Sequence, residues 1–185
     1  DTVGISVTRE GEASYAGMLM GAHLNAVSFK GKMFIQGGFI ASFGQWQLAR
    51  RYAASENGTD WNVIVPTGAV EGVTPDVNLR AGNAFFEFNG KLWCMGGFKN
   101  FPDASMMANT IWSSEDGLAW TQEALCPLEV GSDTTMVEGL SNLYNMEVLA
   151  TDEVVYVFGG TNLTAETGNV VSNKIYKSTD CIHWE

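Results

Sequence analysis

The chain has 185 residues, of which 45% are hydrophobic and 17% are charged, and 21 of them are glycines. This composition excludes an intrinsically disordered chain and is typical of an all-β protein rich in turns. The formal net charge of −11 predicts no nucleic-acid partner and disfavours anionic membranes, because both present phosphate groups.

Cysteine usage and hydropathy exclude further classes. Cys94, Cys126 and Cys181 stand in no CxxC pair, so the sequence indicates neither a zinc site nor a redox motif. No apolar run approaches the roughly 20 residues of a membrane helix, and we therefore expect no membrane insertion. The chain begins at Asp1 rather than Met, from which we expect a processed protein or part of a longer one.

In chain order, the sequence predicts three units of four short strands. The apolar first strands span residues 25–29, 83–88 and 146–150. Two-residue turns follow at 30–31, 89–90 and 151–152. Asn89-Gly90 is the strongest of these hairpin signals, because a type I′ turn needs positive φ at both central positions.

The remaining strands of each unit follow the same order. The third strands are predicted around 50–54, 110–114 and 174–178. The fourth strand of each unit begins at a tryptophan. Residues 45–54 could also form a helical turn, but their position in the repeat favours a strand.

Two anchors recur in every unit at matching distances. The second strand ends in two glycines, and the third strand is followed by a polar turn that ends in tryptophan. Gly38 precedes Ser55 by 17 residues, and Gly97 precedes Ser114 by the same number. The recurring residues are Gly37, Gly38, Trp61, Gly96, Gly97, Asp116, Trp120, Gly159, Gly160, Asp180 and Trp184. The units therefore run approximately over residues 1–61, 62–120 and 121–185 of a single domain.

These recurring residues are predicted to be structural rather than catalytic. Paired glycines let the backbone turn sharply and let neighbouring sheets approach closely. The tryptophan buries a large flat face, and the Asp of the turn can bond its own backbone two residues on.

This pattern resembles the kelch repeat over nearly the whole chain. The turn Ser114-x-Asp116-Gly117-x-x-Trp120 looks like that of galactose-oxidase-like propellers of bacterial surface and secreted proteins, and is similar to the Asp-box of sialidases. The resemblance implies a β-propeller of four-stranded antiparallel blades, and a secreted, periplasmic or cell-surface location. Cys181 replaces the glycine of the turn in the third unit.

Three blades cannot close a ring, because propellers usually have four to eight. By the phase of the repeat, residues 3–8 should form a fourth strand without its own blade, and the chain stops just before the last one. We therefore expect half of a six- or seven-bladed ring. Further blades in a longer chain, a homodimer that completes a six-bladed ring, or an unusually small ring would each close it.

Function is expected on the face that carries the long connections, since long loops on a rigid scaffold usually hold binding residues. These connections span residues 39–49, 67–80, 98–108, 122–142 and 161–171. The ligand-binding candidates in and beside them are Phe43, Trp46, Arg50, Arg80 and Phe101. The aromatic residues could equally pack the loops against the ring, and Arg80 could pair with Asp76.

The sequence predicts a non-catalytic binding or scaffold propeller that recognises a glycan or a protein. The alternative is a carbohydrate-active enzyme of oxidase, lyase or glycosidase type, with its site at the channel mouth. The sequence holds no recognisable catalytic set, metal site or cofactor motif. His23 could reach the channel, whereas His183 lies in a turn on the opposite face.

Overall fold

The computed structural model describes residues 22–42, 45–99, 107–126, 128–130, 136–140, 143–164 and 168–185. These residues form β-strands and one 3-10 turn, Val77–Leu79. The strands are β1 (Asn25–Phe29), β2 (Lys32–Gln36), β3 (Phe39–Ser42), β4 (Gln45–Leu48), β5 (Tyr52–Ser55), β6 (Asn62–Val63), β7 (Thr67–Gly68), β8 (Ala84–Phe88), β9 (Lys91–Met95), β10 (Thr110–Ser114), β11 (Ala119–Leu125), β12 (Leu128–Val130), β13 (Met136–Gly139), β14 (Leu143–Tyr144), β15 (Glu147–Ala150), β16 (Val155–Phe158), β17 (Thr161–Thr164), β18 (Gly168–Val171) and β19 (Ile175–Ser178). In this part of the chain, no helix is long and apolar enough to cross a membrane.

Three main sheets form, in chain order. The first sheet has the order β1-β2-β5-β6, and the second has β8-β9-β10-β11, to which β7 adds in parallel on β11. The third sheet is β15-β16-β19, and the backbone of Glu185 pairs with Lys177 of β19. The all-β class is confirmed, as are the predicted first, second and third strands of each unit. The strand predicted at residues 3–8 lies outside the described residues.

The first turn of each unit shows how local sequence sets the connection. Lys30 and Gly31 have φ values of 47° and 75°, and Asn89 and Gly90 have 52° and 73°. These paired positive values define a type I′ turn at each place, where the sequence predicts a two-residue turn and, at Asn89-Gly90, this type. The third unit differs, because Ala150 pairs with Val155 and leaves a four-residue connection, 151–154, instead of a two-residue turn. This segment contains no glycine, which a two-residue I′ turn favours.

Several connections predicted as loops contain strands. β3 and β4 pair in the connection 39–49, and β17 pairs with both β18 and β14 in the connection 161–171. The connection 122–142 contains the end of β11 and the pair β12-β13. Within residues 45–54, β5 supplies the predicted third strand and β4 belongs to the hairpin of the connection, so the segment is strand rather than helix.

The second sheet lies between the first and the third. Alternate residues of β8 point to opposite sides, as the two-residue period of a strand requires. Phe85 packs in the cluster shared with the first sheet, whereas Phe86 and Phe88 pack in the cluster shared with the third. The first strands lie side by side, with β1 against β8 and β8 against β15.

The glycine pairs connect one unit to the next. All six glycines have positive φ, between 57° and 92°. A Cβ atom at Gly37 would clash with the carbonyl oxygen of Arg80, which leads into the second sheet. A Cβ atom at Gly96 would lie 2.9 Å from the carbonyl oxygen of Leu143, which leads into the third. The first glycine of each of these pairs therefore lets the next unit approach.

The tryptophan turns share one hydrogen-bond pattern. The Oγ atom of Ser114 accepts a bond from the N–H of Gly117 at 2.8 Å, and Oδ1 of Asp116 accepts from the next two N–H groups at 2.7 and 2.9 Å. Matching bonds occur in the first and third units. Cys181 takes the place of glycine with a φ of 62°. Trp120 is buried between the first and second sheets, as the sequence predicts.

Replacing Gly37 with alanine tests the close approach between units. Gly37→Ala should destabilise the protein by roughly 3–5 kcal/mol, because the new methyl group meets backbone that must shift. Gly31→Ala is the matched control, since Gly31 also has positive φ but has no neighbour within 4 Å of a built Cβ. It should cost only about 1–2 kcal/mol of backbone strain. Urea unfolding measures both values, and equal losses would contradict the role given to Gly37.

Candidate functional site

A buried network of side-chain amides joins the first two sheets at the ends of β1, β2 and β8. Oε1 of Gln36 accepts hydrogen bonds from Nδ2 of Asn25 and Nδ2 of Asn83, both at 3.0 Å. Nε2 of Gln36 donates to the carbonyl oxygens of Val77 and Arg80. Oδ1 of Asn83 accepts a bond from Asn25 at 3.4 Å. Because Gln36 and Asn83 are buried, these bonds replace the water that burial removes.

Arg80 lies beside this network and is completely buried. Its Nε and Nη2 donate to Oδ1 of Asp76 at 2.9 and 2.5 Å. Its Nη1 donates to the carbonyl oxygens of Gly96 and Thr110, and Nη2 also donates to the Thr110 hydroxyl. Protein groups thus use all five N–H groups of the guanidinium. The ion pair with Asp76 is confirmed, and Arg80 has no donor left to offer a ligand.

The carboxylate of Asp76 forms ion pairs with two positively charged side chains, those of Arg80 and Lys99. Burial alone would raise the pKa of its carboxyl group, but Arg80 and Lys99 outweigh this and lower the pKa below its ordinary value. Oδ2 of Asp76 lies 2.6 Å from Nζ of Lys99, which is itself partly exposed. The group of Asp76, Arg80 and Lys99 therefore fixes the connection that leads from β7 to β8.

Of the other four predicted ligand-binding residues, the structure describes the side chain of Arg50 alone. Arg50 is exposed and has a φ of 41°. Phe43 and Phe101 lie outside the described residues, and for Trp46 only its place in β4 is described. The structure therefore leaves the binding role of these four residues as a prediction.

Aromatic packing occurs where the sequence places aromatic residues beside the glycine pairs. Phe39 and Phe98 each follow a glycine pair, and their rings stack at 4.9 Å between centroids. Tyr144 meets Phe98 edge-on at 5.2 Å. All three side chains are buried, so here the aromatic residues pack the connections of three units together.

A cleft of about 410 Å³ opens where the first strands of the three units begin. It is lined by His23, Leu24, Asn25, Ala26, Gly82, Asn83, Asn145, Met146 and Glu147. His23, Gly82 and Asn145 hold matching positions, each one residue after the bridge or pair made by Ala22, Ala81 or Tyr144. Their φ values are 57°, 62° and 53°. The cleft is thus built from the same backbone positions of three successive units.

Five of the nine residues that line the cleft are polar, and three of these five are exposed. His23, Asn145 and Glu147 are exposed, and the His23 ring meets Phe39 edge-on at 5.9 Å. Asn25 donates into the amide network, and its Oδ1 accepts no bond from the described residues. The cleft therefore presents hydrogen-bond donors and acceptors, one imidazole and one carboxylate. Among these residues the sequence points only to His23, because Asn145 and Glu147 lie 122 and 124 residues further along the chain.

Two further clefts, of about 350 and 300 Å³, lie beside the tryptophan turns of the first and third units. Their shared position indicates that they arise from the repeat itself. Among the described residues, no group of three or more His, Cys, Asp or Glu side chains is arranged to hold a metal ion. Comparison with known protein families and with curated proteins finds no match for this chain.

The three cysteines are free and buried. Burial raises the pKa of Cys94 to about 12, that of Cys126 to about 11 and that of Cys181 to about 12. Since the thiolate is the reactive form, the folded protein holds its thiols inert.

Thiol labelling tests this burial. With an aromatic disulfide reagent at pH 8, the native protein should release almost no chromophore, whereas the protein in guanidinium should react at three thiols. Rapid reaction of any thiol in the native protein, under conditions where unfolding is negligible, would contradict the environment described for it.

Asp76→Asn tests the ion group. The change should destabilise the protein at pH 7 by about 3–5 kcal/mol, because Arg80 would stay buried without a charged partner. The pKa of Asp76 is lowered on folding, so its contribution is present above the unfolded pKa of about 3.9 and disappears as pH falls through the folded value.

Urea unfolding at pH 7 and at pH 3 measures this contribution. The difference between wild type and variant should shrink at the lower pH. Asp152→Asn, in an exposed turn, is the matched control and should change the stability little. A difference that does not depend on pH would show that packing, rather than charge, explains the loss.

Proposed function

We propose that the chain forms three blades of a kelch-like β-propeller and acts as a non-catalytic binding module. Antiparallel sheets in sequence order, first strands that lie side by side and glycine pairs that recur at each junction all support this architecture. The secreted or cell-surface location that the kelch resemblance implies belongs to the same proposal.

The ligand class that suits the central cleft is a hydroxyl-rich molecule such as a glycan. Side-chain amides both donate and accept hydrogen bonds, and hydroxyl groups do the same. Asn25 and Asn145 offer such amides to the cleft. Glu147 and the net charge of −11 disfavour an anionic ligand. A protein whose surface presents hydroxyl and amide groups would make the same hydrogen bonds and is the second candidate ligand.

The observation that carries the proposal is the backbone conformation at the cleft. His23 and Asn145 adopt left-handed φ values at positions where the second unit has Gly82. A non-glycine residue in this region costs about 1–2 kcal/mol, although asparagine costs less. Strained residues of this kind concentrate at binding sites, where the side chain has a use that offsets the strain.

Glycine substitutions test the proposal without disturbing the fold. His23→Gly and Asn145→Gly remove side chains from the cleft at φ values that glycine adopts freely. We expect both variants to be at least as stable as wild type, and to bind the glycans that the wild type selects on an array at least tenfold more weakly. A tenfold loss corresponds to about 1.4 kcal/mol, the size of one hydrogen bond.

Asn89→Gly is the matched control. Asn89 also has positive φ, at 52°, but it lies in the β8-β9 turn at the far end of the first strand. This variant should bind as the wild type does. Undiminished binding by the His23 and Asn145 variants, or a wild type that binds no glycan, would overturn the proposed site.

One observation favours the alternative of a carbohydrate-active enzyme. The imidazole of His23 and the carboxylate of Glu147 line the same cleft, and such groups can serve as general acid and base. Product formation from an oligosaccharide that Glu147→Gln abolishes, with binding retained, would favour catalysis. Binding without turnover would favour the binding module.

A further inference from the structure

The three main sheets pack in series, and each presents the same register positions to the next one. In the first sheet, Val27 and its cross-strand partner Phe34 pack against the second sheet. In the second, the matching pair of Phe86 and Trp93 packs against the third. The third sheet has the equivalent pair of Leu149 and Tyr156. The outward face of the third sheet thus carries apolar residues at the positions through which the first and second sheets pack against the next sheet.

Among the described parts of the chain, no sheet packs on this face of the third sheet. Leu149 is 55% exposed and Ile175 is 62% exposed, whereas Phe86 and Ile111, their equivalents in the second sheet, are 6% and 0% exposed. Beside them, the rings of Tyr156 and Phe158 stack at 6.1 Å between centroids. These four side chains of the third sheet form an apolar patch beside Glu147, Lys177 and Glu185, which are exposed. Exposed apolar patches that are rimmed by polar residues mark interaction sites.

The space beside Gly159 is a second, independent observation that points to an interaction at this end of the stack. At Gly37 and Gly96, the space of a side chain is filled by a backbone carbonyl of the next unit. At Gly159, the same space has only the carbonyl oxygen of Ser172, 3.7 Å away in its own unit. Among the described residues, therefore, no following unit occupies the place that the first glycine leaves open.

The opposite end of the stack is the outward face of the first sheet. The third sheet packs against the second through Val148, Ala150 and Val155. The equivalent positions of the first sheet are Ala26, Ser28 and Met33, which are exposed. Next to them, Ile35 and Ala53 form a small buried cluster with Trp61. The outward face of the first sheet is thus suited to pack against a preceding unit. The outward face of the third sheet is suited to pack against a following unit.

We propose that the outward face of the third unit binds the first unit of a second copy of this chain. Two such contacts, related by a two-fold axis, would close six units into a ring and would cover both exposed ends at once. The contact at Gly159 would then repeat the contacts at Gly37 and Gly96. The proposal depends on the serial packing of the units and does not depend on the ligand of the cleft.

Light scattering coupled to gel filtration tests this on the chain of 185 residues. We expect a particle of twice the 20.0 kDa of one chain. Gly159→Asn should convert it to single chains, because asparagine tolerates the left-handed backbone but its side chain fills the open space. Ile175→Asp should do the same by placing a charge in the apolar contact.

The matched controls keep the test specific. Gly31→Asn changes a left-handed position with nothing within 4 Å of a built Cβ. Val65→Asp changes a side chain outside this face that is 79% exposed, compared with 62% for Ile175. Both should keep the mass of the pair, and unfolding curves should show that all four variants are folded. His23→Gly should also stay paired, which separates this proposal from the ligand site.

A wild-type particle with the mass of one chain would overturn the proposal, since a segment of the same chain or further repeats of a longer one would then have to cover the face. A pair that neither Gly159→Asn nor Ile175→Asp separates would also overturn it, because another surface would hold the two chains together.

Discussion

The close approach of backbone at the glycine pairs is the constraint on which the arrangement of the sheets depends. At Gly37 and Gly96, a carbonyl group of the next unit lies where any other residue would have its side chain. Positive φ at both glycines of each pair turns the chain out of the second strand and leaves this space free. The first strands of neighbouring units therefore lie side by side, and the segments that lead into them meet at one end of the stack. The cleft is a consequence of that meeting.

The same approach buries polar groups, which must then be satisfied within the protein. Gln36 bonds to the backbone that leads into the second sheet, and Arg80 uses every N–H group of its guanidinium on Asp76, Gly96 and Thr110. A buried ion pair adds little net stability, because desolvation opposes the Coulomb attraction, but the loss of one partner is costly. This network therefore serves to fix how the second unit follows the first, since a different arrangement would leave these groups unpaired.

The residues that recur in the units differ from the residues proposed to bind a ligand. Glycine pairs, tryptophan turns and apolar register positions recur in the units and explain how the sheets pack. The residues at 23, 82 and 145 share a backbone conformation but differ in side chain. A position with a conserved geometry and a free choice of side chain is suited to binding, because the scaffold holds it while the chemistry varies. The outward face of the third sheet carries the recurring apolar positions without a neighbour among the described residues, which is the basis of the association proposed for it.

The sequence by itself determined the all-β class, the first three strands of each unit, the type I′ turns at 30–31 and 89–90 and the tryptophan turns, because each of these depends on residues close together in the chain. The tertiary structure decided the rest. It made strands of segments predicted as loops, since β3, β4, β17 and β18 find partners only where the chain folds back. It gave Arg80 an interior place that a position at the start of a strand does not reveal, and it left open the binding role predicted for Arg50, Trp46, Phe43 and Phe101. It brought together His23, Asn145 and Glu147, because only the packing of three units side by side makes His23 a neighbour of residues 122 and 124 positions further along the chain.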